Sequence, residues 1–283
     1  MSIERVNGAD IYYEVKGEGA PLLLLPGLGR GTSYFDAIEP VLRKHFQTIV
    51  VDPRGIDRSS RAEGVLTAEL WADDFAALLG SLKLPAAHVL GSSHGGSMAM
   101  SMALRHPGVV RSLLLFGAFS ELDRFIVLNM DLRIRLAKRI GMGEDMRDFI
   151  ALWTFGHEGL EDPNADKFLA AQLAAVKHHT PESYATTCKS LLHWGRRLPG
   201  QENEPPVTSL LAAIRCPTLV VCGAKDYWIP PKFSRIIAEK IPGAQYVEMP
   251  HCGHIAVRED PAGSALLIGD FISGLAYRAG AQI

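Results

Sequence analysis

The sequence predicts an α/β fold with a doubly wound, mostly parallel central sheet of about eight strands and a helical cap inserted after the sixth strand. Short continuous apolar segments such as Leu22–Leu25 and Thr48–Val51 are typical of parallel strands that are covered on both faces. Segments with helical spacing alternate with such strands near both ends of the chain, as a parallel sheet requires. Residues 118–210 interrupt this alternation with helical stretches alone, which predicts an inserted cap.

The N-terminal part of the chain supplies the first strands and helices of the predicted sheet. Ile11, Tyr13 and Val15 alternate with Glu14 and Lys16, a pattern typical of a half-buried strand. The elements that follow are expected, in chain order, as a helix over about Tyr34–Lys44, a helix from the capping residue Thr67 to about Leu82, a strand at His88–Leu90, a helix after Ser93 and a strand at Val110–Phe116.

The remainder of the chain divides into the predicted cap and the last strands of the sheet. The cap helices are expected at Asp123–Ile140, Asp145–Phe155, Ala165–His178 and Glu182–Arg197, and glycines and prolines separate them. The sheet then resumes with a strand at Thr218–Cys222, a helix at Lys232–Ile241, a strand at Gln245–Met249 and a final helix from about Pro261 to Ala276. We therefore assign residues 1–117 and 211–283 to a core domain, and residues 118–210 to a cap over the carboxyl edge of the sheet, where ligands bind.

Composition and charge exclude several classes of partner. The 29 lysine and arginine residues nearly balance the 31 aspartate and glutamate residues, and the formal net charge is −2. Because no basic stripe is present, neither nucleic acid nor an anionic membrane is expected as a partner. The longest apolar segments are too short to span a bilayer. The four cysteines have no Cys-x-x-Cys spacing and no signal peptide is visible, which together predict reduced thiols in a cytoplasmic protein.

The sequence predicts neither a cofactor nor a metal ion. No glycine-rich nucleotide-binding loop follows the first strand. His178, His179 and His193 have no acidic partner at a metal-binding spacing. The expected partner is a small-molecule ester or lactone, and the sequence leaves a homodimer open.

The most informative motif is Gly91-Ser92-Ser93-His94-Gly95, which follows an apolar strand and precedes a helix of small residues. This layout is typical of a nucleophile elbow, a sharp strand-to-helix turn that exposes the serine hydroxyl. Glycines are needed beside the serine because neighbouring backbone comes too close for a Cβ atom. Alone, the five residues are equally compatible with a glycine-rich turn before an ordinary helix.

A serine nucleophile also needs a base that takes its proton and a carboxylate that orients the base. Two later strands end in such residues. The segment from Leu219 ends at Asp226, and the segment from Tyr246 ends in a loop that contains His251 and His254. The order serine, acid, histidine along the chain is that of a nucleophile-elbow hydrolase.

With these segments the chain resembles the α/β-hydrolase superfamily over nearly its whole length apart from the cap. The resemblance rests on residues 25–29 (LPGLG), 52–59 (DPRGIDRS), 91–96 (GSSHGG), 216–226 (CPTLVVCGAKD) and 253–256 (GHIA). It implies that Ser93 is the nucleophile, Asp226 the orienting acid and His254 the general base. His254 is favoured over His251 because it follows the glycine of the family pattern.

The resemblance further implies that the backbone N–H groups of Leu28 and His94 form the oxyanion hole. Relatives often carry His-Gly where this chain has Pro26-Gly27, and this change leaves a main-chain donor intact. Asp57 stands where many relatives have glycine, and we assign it no function.

The expected function is hydrolysis of a small, mostly apolar carboxylic ester or lactone through an acyl-enzyme intermediate. Trp153 and Trp194 are candidate substrate-binding residues because they belong to the aromatic side chains of the cap. Hydrolysis of a C–C bond in a β-diketone-like or meta-cleavage-type substrate is an alternative that uses the same triad. A ligand receptor with little turnover is an alternative of another class. The serine at position 93 argues against dehalogenase and epoxide hydrolase activities, whose enzymes resemble this chain but carry aspartate there.

Overall fold

A central sheet of eight strands organises the protein. The computed structural model describes residues 2–61, 64–155, 157–201 and 203–280. The strands are β1 (Ser2–Val6), β2 (Ala9–Lys16), β3 (Ala20–Leu25), β4 (Phe46–Asp52), β5 (Ala87–Ser92), β6 (Val110–Phe116), β7 (Thr218–Gly223) and β8 (Gln245–Met249). Their order across the sheet is β1-β2-β4-β3-β5-β6-β7-β8.

The sheet is mostly parallel, as the sequence predicts. Strands β4, β3, β5, β6, β7 and β8 pair in parallel, whereas β1 and β2 run antiparallel to their neighbours. Strand β1 forms the edge of the sheet and is largely exposed, so it lacks the apolar pattern by which the other strands can be identified in the sequence. The predicted fold class is confirmed.

The α-helices of the described residues are α1 (Glu39–Leu42), α2 (Ala68–Ser81), α3 (His94–Arg105), α4 (Arg124–Ile140), α5 (Glu144–Thr154), α6 (His157–Leu160), α7 (Ala165–Lys177), α8 (Pro181–Trp194), α9 (Val207–Leu210), α10 (Pro231–Lys240), α11 (Ala256–Glu259) and α12 (Pro261–Gly280). None of the helices in this part of the chain is long and apolar enough to cross a membrane.

Helices cover both faces of the sheet, and strand β3 shows why. Its side chains alternate between the faces, since successive residues of a strand point in opposite directions. Leu23 and Leu25 belong to the core that contains Trp71 of α2, whereas Leu22 and Leu24 belong to the core that contains residues of α12. All four leucines are fully buried. A strand whose two faces are both covered by helices therefore consists of a continuous apolar segment.

The helix expected over Tyr34–Lys44 is divided in the structure. A 3₁₀ turn at Thr32–Phe35 precedes the short helix α1. Pro40 occupies the first turn of α1, where its missing N–H is tolerated, but its ring prevents the preceding turn from continuing into a single helix.

Six α-helices, α4–α9, lie between β6 and β7 in the described part of the chain, and we call the first five of them, α4–α8, the cap helices. The sequence predicts four of them to within a few residues and misses the single turn α6. Helix α4 packs against α8, and α5 packs against α7. The division into a core domain and a separate cap domain stays a prediction.

Candidate active site

The turn between β5 and α3 places Ser93 in a strained conformation. Its φ is 55° and its ψ is −121°, a region that residues with a side chain rarely adopt. The N–H of Ser93 donates to the carbonyl oxygen of Phe116 on the adjacent strand at 2.7 Å, and Gly96 N–H donates to the Ser93 carbonyl oxygen at 2.9 Å. The neighbouring strand and the helix therefore hold the turn in place.

The glycines on either side of Ser93 are required by close backbone approach. A Cβ atom on Gly91 would collide with the carbonyl oxygen of Gly95, and one on Gly95 would collide with that of Leu25. Because these obstacles are backbone atoms, they cannot move aside as a flexible side chain could. The motif found in the sequence is thus a true strand-to-helix elbow.

Ser93, His254 and Asp226 form one chain of hydrogen bonds. Nε2 of His254 lies 2.8 Å from Oγ of Ser93, and Nδ1 of His254 lies 2.6 Å from Oδ2 of Asp226. All three residues are buried. The structure therefore brings together the three residues that the sequence analysis selected.

Asp226 is fixed by the loop that follows β7. Its second carboxylate oxygen, Oδ1, accepts hydrogen bonds from the N–H groups of Trp228 at 3.0 Å and Ile229 at 2.8 Å. These bonds leave Oδ2 for the histidine. Gly223, at the end of β7, lies so close to the loop after β8 that a Cβ there would collide with the carbonyl oxygen of Gly253. The two loops are thereby packed backbone against backbone.

Glu259 holds the loop of the histidine. Oε2 accepts a hydrogen bond from the N–H of Gly253 at 2.7 Å, and Oε1 accepts one from the N–H of Ile255 at 3.0 Å. Burial raises the pKa of this carboxyl group, while the two backbone hydrogen bonds act in the opposite direction. The sequence analysis missed Glu259 because an acidic residue on a short helix ordinarily faces solvent.

His251 lies away from this arrangement. Its side chain is 86 % exposed, and Nδ1 lies 3.9 Å from a carboxylate oxygen of Glu158. His254 therefore differs from His251 in two ways, because it is buried and it contacts Ser93.

The side chain of His94 points away from the serine and toward the cap helices. Nε2 of His94 lies 2.9 Å from Oγ of Ser190 on α8, and the ring packs between Trp71 and Phe119. Complete burial lowers the pKa of His94 to about 3, so the imidazole is neutral at physiological pH. As the first residue of α3, His94 has a backbone N–H with no acceptor one turn earlier in that helix.

A cavity opens onto the serine. Leu28 lines it from the loop after β3, together with Ser93, His254 and Trp228. Ile150 and Val176 contribute apolar surface from the cap helices α5 and α7. The assignment of the Leu28 and His94 amides to an oxyanion hole stays a prediction.

Neither Trp153 nor Trp194 is among the described residues that line the cavity. Trp153 packs edge-on against Phe125, with ring centroids 5.3 Å apart. Trp194 is 1 % exposed, and its indole N–H donates to the carbonyl oxygen of Phe119 at 3.0 Å. Both tryptophans pack with other parts of the protein, and the tryptophan of the cavity is Trp228.

Two arginines that the sequence analysis did not select also line the cavity. Arg30 follows the loop that carries Leu28, and Arg133 lies on the cap helix α4. The position of Arg30 directly after residues 25–29 could have identified it. No sequence signal distinguishes Arg133 from the other basic residues of α4.

The residues that the structure describes contain no group of three or more histidine, cysteine, aspartate or glutamate side chains suited to hold a metal ion. The four cysteines are unpaired thiols, and three of them are buried.

Comparison with known proteins decides the family. A family model for the alpha/beta hydrolase fold matches residues 20–261. The chain belongs to the α/β-hydrolase family.

Curated relatives and solved structures agree with this assignment. RutD of Azorhizobium caulinodans, which is named as a carbamate hydrolase, is 30 % identical to this chain over 247 residues. The match covers 87 % of this chain and 88 % of RutD. The 2-hydroxymuconate semialdehyde hydrolase of Pseudomonas sp. strain CF600 is 29 % identical over 264 residues, 91 % of this chain and 88 % of the relative. The enol-lactonase of Burkholderia xenovorans LB400 superposes with a TM-score of 0.84 at 25 % identity, covering 96 % of this chain and 100 % of the lactonase. These relatives indicate a hydrolase.

Asp57 has an unusual backbone conformation. Its φ is 45°, which suits the glycine that the sequence analysis expects at this position of the family pattern. Aspartate tolerates this conformation better than most residues do. Oδ1 of Asp57 lies 2.9 Å from Nδ1 of His178, at the end of the cap helix α7. The departure from the family pattern therefore adds a contact between the core loop and the cap helices.

Proposed function

We propose that this α/β-hydrolase is a serine hydrolase that cleaves a small carboxylic ester or lactone through an acyl-enzyme intermediate. The observation that carries the proposal is the continuous pair of hydrogen bonds from Ser93 Oγ to His254 Nε2, 2.8 Å, and from His254 Nδ1 to Asp226 Oδ2, 2.6 Å. Both bonds lie within the distance that general-base catalysis requires.

In the first half of the reaction Oγ of Ser93 attacks the substrate carbonyl carbon while Nε2 of His254 takes the hydroxyl proton. Asp226 keeps the proton on Nδ1 and stabilises the positive charge of the imidazolium. The tetrahedral intermediate collapses, the bond to the alkoxy oxygen breaks, and the proton passes from Nε2 to the leaving alcohol. In a lactone this alcohol stays attached to the acyl group.

In the second half a water molecule gives a proton to Nε2 and its oxygen attacks the acyl carbonyl carbon. The bond to Ser93 Oγ then breaks, the serine regains its proton from Nε2, and the carboxylic acid leaves. The N–H groups of Leu28 and His94 would hold the oxyanion in both halves. Loss of one such donor costs about 3 kcal/mol of transition-state stabilisation.

Two observations support carbonyl hydrolysis over a receptor role. The backbone of Ser93 is strained, and strain of this kind clusters at active sites. The structural relative that is named an enol-lactonase supports a lactone as one substrate type.

Hydrolysis of a C–C bond beside a carbonyl is the second candidate. The observation that favours it is the similarity to the 2-hydroxymuconate semialdehyde hydrolase over 91 % of this chain. The same three residues would act, with a carbon leaving group in place of the alcohol.

Labelling with a fluorophosphonate, followed by mass spectrometry of the peptide that contains residues 92 and 93, tests the proposal. We expect one adduct in the wild type and in Ser92→Ala, and none in Ser93→Ala. Ser92 is the matched control because it is adjacent and buried, and its hydroxyl bonds to Tyr34 instead of the histidine. A folded wild type without an adduct would overturn the proposal. A turnover screen over acyl esters, lactones and vinylogous diketones then separates the two bond types.

A further inference from the structure

Two buried arginines face the same cavity as Ser93 with only uncharged partners. Arg30 is 7 % exposed and Arg133 is 2 % exposed, and both line the cavity. Nη1 of Arg30 donates to Oε1 of Gln172 at 2.6 Å. Arginine is rarely buried unless a carboxylate or another anion neutralises it, because removing its charge from water is costly.

The free atoms of Arg30 form one edge of the guanidinium. Nε and Nη2 lie side by side on that edge, and neither has a hydrogen-bond partner within the described part of the chain. An unsatisfied pair of donors in a buried position calls for an explanation. Two N–H groups on one edge match the two oxygens of a carboxylate.

Other arginines of the protein show how this edge is ordinarily used. Arg54 donates to the two carboxylate oxygens of Asp74 through Nε at 2.8 Å and Nη2 at 2.6 Å. Arg105 donates to the two oxygens of Asp73 through Nε at 2.9 Å and Nη2 at 2.7 Å. Arg30 presents the corresponding edge and lacks the corresponding carboxylate.

Arg133 of the cap helix α4 supplies a second positive charge to the cavity lining. Nε donates to Oδ1 of Asn129 at 2.8 Å, and Nη1 donates to Oη of Tyr184 at 3.3 Å. Its guanidinium carbon lies 4.4 Å from the centroid of the Trp228 ring. Nη2 has no partner among the described residues. Three neutral side chains thus hold the guanidinium in place and leave its charge uncompensated.

The surroundings do not neutralise these charges. Burial and the nearby positive charge of Arg258 lower the pKa of Arg30 to about 10, so the side chain remains charged at neutral pH. Asp36 and Asp57 act on Arg30 through space but make no hydrogen bond to it. Asp226 is already engaged by the histidine and by two backbone amides.

We propose that the substrate carries a carboxylate in addition to the scissile carbonyl group. Arg30 binds this carboxylate through Nε and Nη2, and Arg133 adds a second positive charge. The inference rests on the proposed function, because it takes the cavity beside Ser93 as the substrate site. The expected substrate is then no longer a mostly apolar compound. It is an acid that also carries the scissile ester or lactone group, such as a dicarboxylic monoester or a carboxylated lactone.

Protection of Ser93 from fluorophosphonate labelling tests binding without turnover. We expect glutarate to slow labelling of the wild type and pentane-1,5-diol at the same concentration to leave the rate unchanged. Arg30→Leu should lose the protection. Arg258→Leu is the matched control and should keep most of it, because Arg258 is also buried with an unpartnered Nε but does not line the cavity.

Three outcomes of this experiment overturn the inference while labelling of Ser93 still supports the proposed function. These outcomes are equal labelling rates with glutarate and with the diol, protection by inorganic phosphate but not by glutarate, and undiminished protection in Arg30→Leu. A folded wild type that is not labelled at all overturns the proposed function itself, so the two failures are distinguishable.

A pair of esters extends the test to catalysis. Monoethyl glutarate and ethyl pentanoate have acyl chains of the same length and differ in the terminal carboxylate. We expect kcat/KM to favour the anionic ester at least about 100-fold in the wild type, the range expected for a desolvated charge pair. Arg30→Leu should lower kcat/KM much more for the anionic ester than for ethyl pentanoate, and Arg30→Lys should restore the preference in part. Equal losses on both esters would indicate a structural role for Arg30 and overturn the inference.

Discussion

The indole of Trp228 lies edge-on against the imidazole of His254, with ring centroids 4.7 Å apart and ring planes inclined by 67°. The indole also contacts the guanidinium of Arg133. Trp228 therefore links a cap helix to the loop that carries the histidine. It also follows Asp226 by two residues and donates its backbone N–H to that carboxylate. One residue thus contacts both His254 and Asp226.

We expect replacement of Trp228 to lower kcat/KM more than a distant core substitution that lowers the free energy of unfolding by the same amount. Trp228→Ala removes the surface against which the imidazole packs, so we expect kcat/KM to fall about 10- to 100-fold and the free energy of unfolding to fall by about 3 kcal/mol or more. Trp228→Phe should recover most of both. Steady-state kinetics and urea unfolding give the two values, and Trp71→Phe serves as a control for a buried tryptophan outside the cavity. Unchanged kinetics in Trp228→Ala would contradict the packing role.

The strained backbone at Ser93 should be visible in stability. Ser93→Gly and Ser93→Ala both lose activity, but only glycine adopts a φ of 55° without strain. We expect Ser93→Gly to be more stable than Ser93→Ala by about 1 kcal/mol in urea unfolding. The control is Ala76→Gly in the regular helix α2, where glycine should lower stability by about 1 kcal/mol. Equal stability of the two Ser93 variants would show that the turn stores no strain.

A methyl group at Gly95 should disrupt the elbow. Its Cβ would meet the carbonyl oxygens of Leu25 and Pro26, which are backbone atoms of the loop that leads to Leu28. We expect Gly95→Ala to lose at least about 2 kcal/mol of unfolding free energy together with fluorophosphonate labelling. Gly80→Ala, on helix α2 with no atom within 4 Å of the added methyl group, should gain up to about 1 kcal/mol and keep labelling. Wild-type stability of Gly95→Ala would refute the close approach.

The buried His94 should make stability depend on pH. Its pKa is about 3 in the folded protein and about 6.5 when unfolded, so acid protonates the unfolded chain first. The stability that the neutral ring contributes is present above pH 6.5 and is lost as the pH falls toward 3, by up to about 1.4 kcal/mol per pH unit.

His94→Gln should therefore flatten the dependence of unfolding free energy on pH between 6 and 4 relative to the wild type. Ser190→Ala is the control, because it removes the hydrogen-bond partner of Nε2 and leaves the titrating group. It should lower stability at every pH with the slope unchanged. Parallel curves for His94→Gln and the wild type would mean that the imidazole is not buried in the neutral form.

The sequence predicted well those features that depend on local pattern. Apolar segments identified the parallel strands because strands covered on both faces have no polar side, and the exposed edge strand β1 lacks that signal. Ser93, Asp226 and His254 could be selected because each follows a strand at the same edge of the sheet.

The cavity wall was harder to predict because it depends on how helices distant in the sequence pack together. The sequence does not show which of Trp194 and Trp228 lies at the cavity. Only the fold places Trp228 against His254 and buries the Trp194 indole at Phe119. The charge of the cavity was missed for the same reason. Arginine is ordinarily exposed, so nothing in the sequence indicates that Arg30 and Arg133 are buried without an acidic partner.

The contact of His94 with Ser190 bears on how this protein could be re-engineered. His94 is the residue after the serine, and Ser190 belongs to the cap helix α8, so the two segments meet in the interior and not only across the cavity. A chimera that receives its cap from another hydrolase would lose the Ser190 hydroxyl and leave Nε2 of the buried His94 ring without this partner, while Nδ1 keeps its contact with Ser97. Transplanting a cap to exchange substrate preference should therefore succeed in two cases only. Either the donor cap brings its own hydrogen-bonding partner for the side chain at position 94, or residue 94 is replaced together with the cap.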